Sequence, residues 1–171
     1  MRYGVSETPS VARLLIVWHS ATGGSEAMAQ AAAIGASGAV TVTCRRAGGA
    51  GATDLLAADG YVFVCPENLA SMAGVMKDFF DRTYYPALGR IEGRPYALMI
   101  CAGSDGEGAA RQIARIATGW RLRAVAEPLI ICTHAQTPEA ILAPKTIAEA
   151  DLAKCRDLGA AMAQGLAMGI F

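Results

Sequence analysis

The sequence predicts a three-layer, doubly wound α/β domain: a sheet of five parallel strands in the order 2-1-3-4-5 with helices on both faces. Three observations carry this. Apolar runs at Leu14–Trp18, Tyr61–Cys65, Tyr96–Cys101 and Leu129–Cys132 alternate with helical stretches, the βαβ rhythm of a parallel sheet covered on both sides. Val40-Thr41-Val42-Thr43 instead alternates apolar with polar, as expected of a less covered strand, and the 2-1-3-4-5 order places the second strand at an edge. The first apolar run breaks into His19-Ser20-Ala21-Thr22-Gly23-Gly24-Ser25-Glu26 before helical composition resumes. In sheets of this order, ligands bind at the carboxyl ends of the strands where the order reverses, which is where this loop falls.

The 171 residues match one domain, 1–171, with 1–12 as an N-terminal tail. A formal net charge of zero points to no nucleic-acid surface and no strongly acidic docking face. No apolar run is long enough for a bilayer span, and Met1 to Ala12 lack the basic start and apolar centre of a secretory signal, so a cytoplasmic location is expected. The five cysteines are odd in number and lack C-x-x-C spacing. Cys44, Cys65, Cys101 and Cys132 fall at or near predicted strand ends, which reads as buried reduced thiols.

The helices carry start signals: Thr53-Asp54 before Leu55, Ser104-x-x-Glu107 before the 104–119 segment, and Thr146-x-x-Glu149 before the last helix, the latter two resembling capping boxes. In the third helix Val75, Met76, Phe79 and Phe80 share a face toward the sheet, and Asp78 and Arg82 are spaced for an i,i+4 surface pair. Ile113, Ile116, Ala117 and Trp120 form a stripe on the fourth helix, and Leu152, Cys155, Leu158, Met162 and Leu166 form one on the last. Gly48-Gly49-Ala50-Gly51 is a flexible connection away from the strand ends.

The loop after the first strand has the makings of an anion site. Ser20, Thr22 and Ser25 offer hydroxyls, Gly23 and Gly24 allow close backbone approach, and the following helix aims free N–H groups at the same point. No Lys or Arg lies between His19 and Cys44, unlike a P-loop, so a single terminal phosphate held without a cation is expected. Pro66-Glu67-Asn68-Leu69-Ala70-Ser71-Met72-Ala73-Gly74 leaves the third strand, and Ala102-Gly103-Ser104-Asp105-Gly106-Glu107-Gly108 leaves the fourth, on the same rim. A phosphate tail and a planar ring system suit such a crevice.

These residues resemble the flavodoxin-like FMN proteins, and within them the NAD(P)H-dependent FMN reductase and quinone reductase branch. Ser20-Ala21-Thr22-Gly23-Gly24-Ser25-Glu26 is similar to the flavodoxin phosphate loop. Pro66 through Gly74, followed by Met76-Lys77-x-Phe79-x-Asp81-Arg82-Thr83, is similar to that branch's flavin loop and helix. The resemblance implies that Ser20, Thr22, Gly23, Gly24 and Ser25 hold the FMN phosphate. It further implies that Pro66, Glu67, Asn68, Leu69 and Ala70 wrap one edge of the ring, with Ala102, Gly103, Ser104, Asp105 and Gly106 on the other side. Leu69 stands where relatives often carry an aromatic residue. Glu67 is acidic where a polar or basic residue is common, which would disfavour an anionic reduced flavin.

The expected activity is electron transfer from NAD(P)H through FMN to a small acceptor such as a quinone, a nitro compound or free flavin, with no catalytic side chain required because the flavin carries the chemistry. His134, just beyond a strand end, is a candidate for substrate contact, and His19 for shaping the phosphate loop. The resemblance does not fix the oligomeric state, because the chain lacks the insertion that builds tetramers in part of the family; a homodimer is compatible with the sequence. A flavodoxin-type electron carrier and a flavin-free domain of the same fold are the alternatives; the zero net charge counts against the carrier, which usually presents an acidic docking surface. His19-Ser20 replaces the acidic residues a phosphoacceptor domain needs, the loop lacks a phosphatase's cysteine, and the G-x-S-x-G elbow of a serine hydrolase is absent.

Overall fold

The computed structural model describes residues 10–171; of the expected tail 1–12, all but the last three residues lie outside the described residues. The apolar runs become β1 (Arg13–Trp18), β3 (Gly60–Asn68), β5 (Pro95–Ala102) and β7 (Leu129–Cys132), and the alternating run lies at the start of β2 (Thr41–Arg46). All pairings among the main strands are parallel, in the order β2-β1-β3-β5. Beyond β5, the short β6 (Arg123–Ala124) pairs at Pro95 and Tyr96 and β7 pairs from Met99 to Ala102. They are two pieces of one fifth strand, broken around Pro128, which has no N–H for a ladder. The expected order 2-1-3-4-5 therefore holds.

The sheet buries both faces, and successive residues divide between them. Leu15, Val17, Tyr61, Phe63, Leu98 and Ile100 pack under α2 (Ala52–Ala57), α3 (Gly74–Ala87) and α4 (Glu107–Gly119), where Phe79, Phe80 and Trp120 complete an aromatic cluster. Leu14, Ile16, Val62, Val64 and Met99 pack under α1 (Gly24–Ala36) and α6 (Glu149–Ala167). Those two helices touch through small residues. A Cβ on Gly159 would lie 2.0 Å from the Ala32 carbonyl oxygen, and one on Gly35 would lie 2.0 Å from that of Arg156. Only glycine lets the backbones approach so closely.

Several local expectations are corrected. Val75 is exposed, because in the first turn of α3 it points toward Gly48 rather than the sheet. Neither Ser104 nor Thr146 caps a helix: α4 begins after Gly106 and α6 after Ala148, both without a side-chain cap of their own. Cys44 is exposed and Cys132 half-buried, while Cys65, Cys101 and Cys155 are buried, and all five are free thiols. The loop from Pro66 to Gly74 is not irregular throughout. β3 runs on to Asn68 and turns back through Leu69 and Ala70 into β4 (Ser71–Met72), an antiparallel hairpin. The Asp78–Arg82 pair forms at 2.7 Å, and the same guanidinium donates to the carbonyls of Ala50 and Ala47, tying α3 to the glycine-rich connection. Among the described residues no helix is long and apolar enough to cross a membrane.

Candidate functional site

The carboxyl ends of β1, β3 and β5 bring the three loops together on one rim. Thr22, Pro66, Glu67, Asn68, Ala102 and Gly103 line one cavity of about 70 Å³. Leu69 and Ala70 do not join them. They form the hairpin tip, both at positive φ (51° and 62°), and the Leu69 side chain is fully exposed. Non-glycine residues adopt that conformation at a cost, and Asn-Gly is the usual occupant of such a turn. Ser104 and Asp105 are exposed and also lie outside the cavity lining.

The first loop is braced from within. Ser20 Oγ accepts the Gly23 N–H at 2.9 Å, and Gly23, at φ 93°, turns the chain into α1. Ala27 closes the first helical bond onto the Gly23 carbonyl. The N–H groups of Gly24, Ser25 and Glu26 have no acceptor among the described residues. Ser25 is 1% exposed and its hydroxyl has no hydrogen-bond partner; the neighbouring Cys101 thiol falls short of hydrogen-bond geometry. A buried hydroxyl without a partner costs about 1–3 kcal/mol. Placed among free helix N–H groups, it matches an anion at the positive end of the helix.

Glu67 lines the cavity with its carboxylate bound to the start of α4. Its Oε1 accepts the Gly106 N–H at 2.9 Å and its Oε2 accepts the Ala109 N–H at 3.2 Å, so the carboxylate caps α4 from a different strand. The close fit extends to the hairpin, since a Cβ on Gly108 would lie 2.1 Å from the Ala70 carbonyl oxygen.

The fourth wall comes from a segment in which the sequence points only to His134 and Thr146. After β7, residues 133–148 fold back over the crevice, carrying the one-turn α5 (Pro138–Leu142). Thr133, Ala135, Ile141 and Lys145 complete the cavity lining, with Cys101 at its floor. The Lys145 N–H donates to the Thr22 carbonyl at 2.7 Å, and its ammonium donates to the carbonyls of Ala140, Ile141 and Ala143 at 2.7, 2.8 and 2.5 Å. Burial pushes the Cys101 thiol pKa up, and the Lys145 charge pulls the other way. His134, at φ 58°, donates its N–H to the Gly103 carbonyl, yet lines an adjoining groove of about 390 Å³ that shares Thr133 and Lys145 with the cavity. His19 sits at the end of β1, and burial, then the Arg46 charge, holds its pKa below the ordinary value.

Residues 50–136 match the family described as NADPH-dependent FMN reductase. The chain belongs to that family. The matched stretch contains the Pro66–Ala70 and Ala102–Gly106 loops; the Ser20–Ser25 loop and Lys145 lie outside it. Among solved structures, an archaeal flavodoxin is similar over 90% of this chain and 98% of its own, with 19% identity and a TM-score of 0.73. Flavodoxin 1 from Bacillus cereus is similar over 91% and 99%, with 18% identity and a TM-score of 0.74. A WrbA-like flavodoxin from Agrobacterium tumefaciens is similar over 92% and 98%, with 18% identity and a TM-score of 0.65. These likenesses establish the flavodoxin-like fold. A search of curated protein sequences finds no match. The family places the chain among FMN-dependent flavoprotein oxidoreductases.

Proposed function

We propose that this chain is an NAD(P)H-dependent FMN oxidoreductase, working as a single flavodoxin-like domain, that passes electrons to a small acceptor such as a quinone, a nitro compound or free flavin. The observation that carries the reading is the unpartnered Ser25 hydroxyl buried beside the free N–H groups of Gly24, Ser25 and Glu26. Ser20 holds the loop in shape, Thr22 and Ser25 are hydroxyl donors to the phosphate, and the helix dipole favours its charge. Pro66, Asn68, Ala102 and Gly103 would hold the ring edge, with Leu69 and Ala70 at the rim.

The chemistry the cofactor supplies when bound is hydride acceptance from a reduced nicotinamide and electron delivery to the acceptor. The chain's own part is to bind, orient and shield. The cavity of about 70 Å³ is smaller than the roughly 300 Å³ at the low end of ligand pockets, so residues 135–144, between the anchored His134 and Lys145, shift when the ring enters. That shift is inexpensive, since no residue of α5 is buried.

The test is anaerobic addition of NADPH or NADH to FMN-reconstituted protein. Loss of the oxidised-flavin absorbance, restored by a quinone, supports the reductase. Flavin that binds and stays oxidised points to a carrier reduced by another protein. Absence of binding overturns both.

A further inference from the structure

The Ser20–Ser25 loop holds no cation of its own, but the fold fastens the backbone of Lys145 to it. We propose that Lys145 is the phosphate-selecting residue of this site, the cation by which the protein prefers a phosphorylated flavin to its unphosphorylated form; this rests on the reading of the loop as the FMN phosphate site.

Three observations support it. The backbone of Lys145 is fastened to the loop by its N–H bond to the Thr22 carbonyl at 2.7 Å, and a Cβ on Gly24 would meet the Lys145 Cβ at 3.4 Å. The side chain therefore starts at the N-terminus of α1, where Ser25 lacks a partner. Its ammonium is met only by the neutral carbonyls of Ala140, Ile141 and Ala143, and no carboxylate pairs with it among the described residues. Glu67, the acidic group lining the same cavity, is committed to the N–H groups of Gly106 and Ala109. Asp151, in the other groove that Lys145 lines, is paired with Lys154 at 2.7 Å, so the ammonium has no carboxylate partner among the described residues.

The carbonyl cage is replaceable. It belongs to the C-terminal end of a five-residue helix with no buried residue. A phosphate oxygen makes a stronger, charge-assisted partner for the ammonium than a neutral carbonyl does. Moving residues 135–144 aside for the ring, while His134 and Lys145 stay anchored, loosens the same cage, so ring entry and ammonium release go together. Riboflavin, with the same ring and no phosphate, gains nothing from Lys145.

Equilibrium binding of FMN and of riboflavin, followed by quenching of flavin fluorescence, tests this on wild type, Lys145→Met and Lys145→Arg. Lys145→Met is expected to weaken FMN binding about 10- to 100-fold and leave riboflavin binding within about twofold, with a shallower dependence of FMN affinity on salt. Lys145→Arg retains most of the preference for FMN. Unchanged FMN affinity in Lys145→Met overturns the proposal, as does equal loss of FMN and riboflavin, which would make Lys145 a brace for the segment only. Wild-type protein that binds riboflavin as tightly as FMN overturns it too. Wild-type protein that binds neither flavin removes the functional reading itself, a result distinct from the others.

Discussion

Glu67 and Gly106 are joined by a hydrogen bond of 2.9 Å in which a carboxylate at the end of β3 receives a backbone N–H at the start of α4. With the second bond, from Ala109 at 3.2 Å, Glu67 caps α4 from a distant strand, beside a local bond from the Glu107 N–H to Asp105 Oδ1 at 3.3 Å. An anion at a helix N-terminus also meets the positive end of the helix dipole. Glu67→Gln replaces one acceptor oxygen with an NH₂ group facing an N–H and removes the charge. We expect a loss of about 1–2 kcal/mol, read as a lower urea midpoint with an unchanged slope. An unchanged midpoint would show that the cap contributes nothing.

Ser25→Ala separates stability from ligand binding. The hydroxyl has no partner to lose, so removing it should leave stability within about 0.5 kcal/mol or raise it. FMN affinity should fall about tenfold, since a bond to a charged acceptor is lost. A destabilised variant with unaltered FMN affinity would mean the hydroxyl serves the fold.

Gly159→Ala tests the α1–α6 contact. Alanine favours a helix over glycine by about 1 kcal/mol, but here its Cβ would lie 2.0 Å from the Ala32 carbonyl oxygen. Overpacking should win, with a net loss of about 1–3 kcal/mol in chemical denaturation. A gain in stability would contradict the close crossing.

His19 makes acid stability depend on the crevice. Its pKa is lowered, mainly by burial and then by the Arg46 charge. A histidine held neutral in the folded state contributes stability that is present above its unfolded pKa of about 6.5 and is lost as pH falls through the folded value. Urea midpoints measured between about pH 7 and pH 5 should therefore fall less steeply in His19→Asn than in wild type. Parallel profiles would rule His19 out as a contributor.

The strands were legible because their signals are local. Leu14–Val17 and Tyr61–Cys65 are continuous apolar runs, and both lie fully buried in the sheet. The Ser20–Ser25 loop was legible for the same reason, since hydroxyls, glycines and a helix start follow one another along the chain. What escaped depends on distant partners. The Ser104 capping box reads well locally, yet Glu67 reaches the α4 N-terminus first, from another strand. The Leu69-Ala70 turn has none of the Asn-Gly chemistry that marks a two-residue hairpin. Lys145 is remote in sequence from Thr22, so its backbone bond to that loop emerges only in the fold.

The most direct test of the account is a titration of isotope-labelled protein with FMN, followed through its backbone amide resonances. The largest shifts should fall on Gly24, Ser25 and Glu26, with further shifts along residues 133–147 as the segment gives way to the ring. Shifts confined to other surfaces, or none at saturating FMN, would contradict the assignment of this crevice as the flavin site.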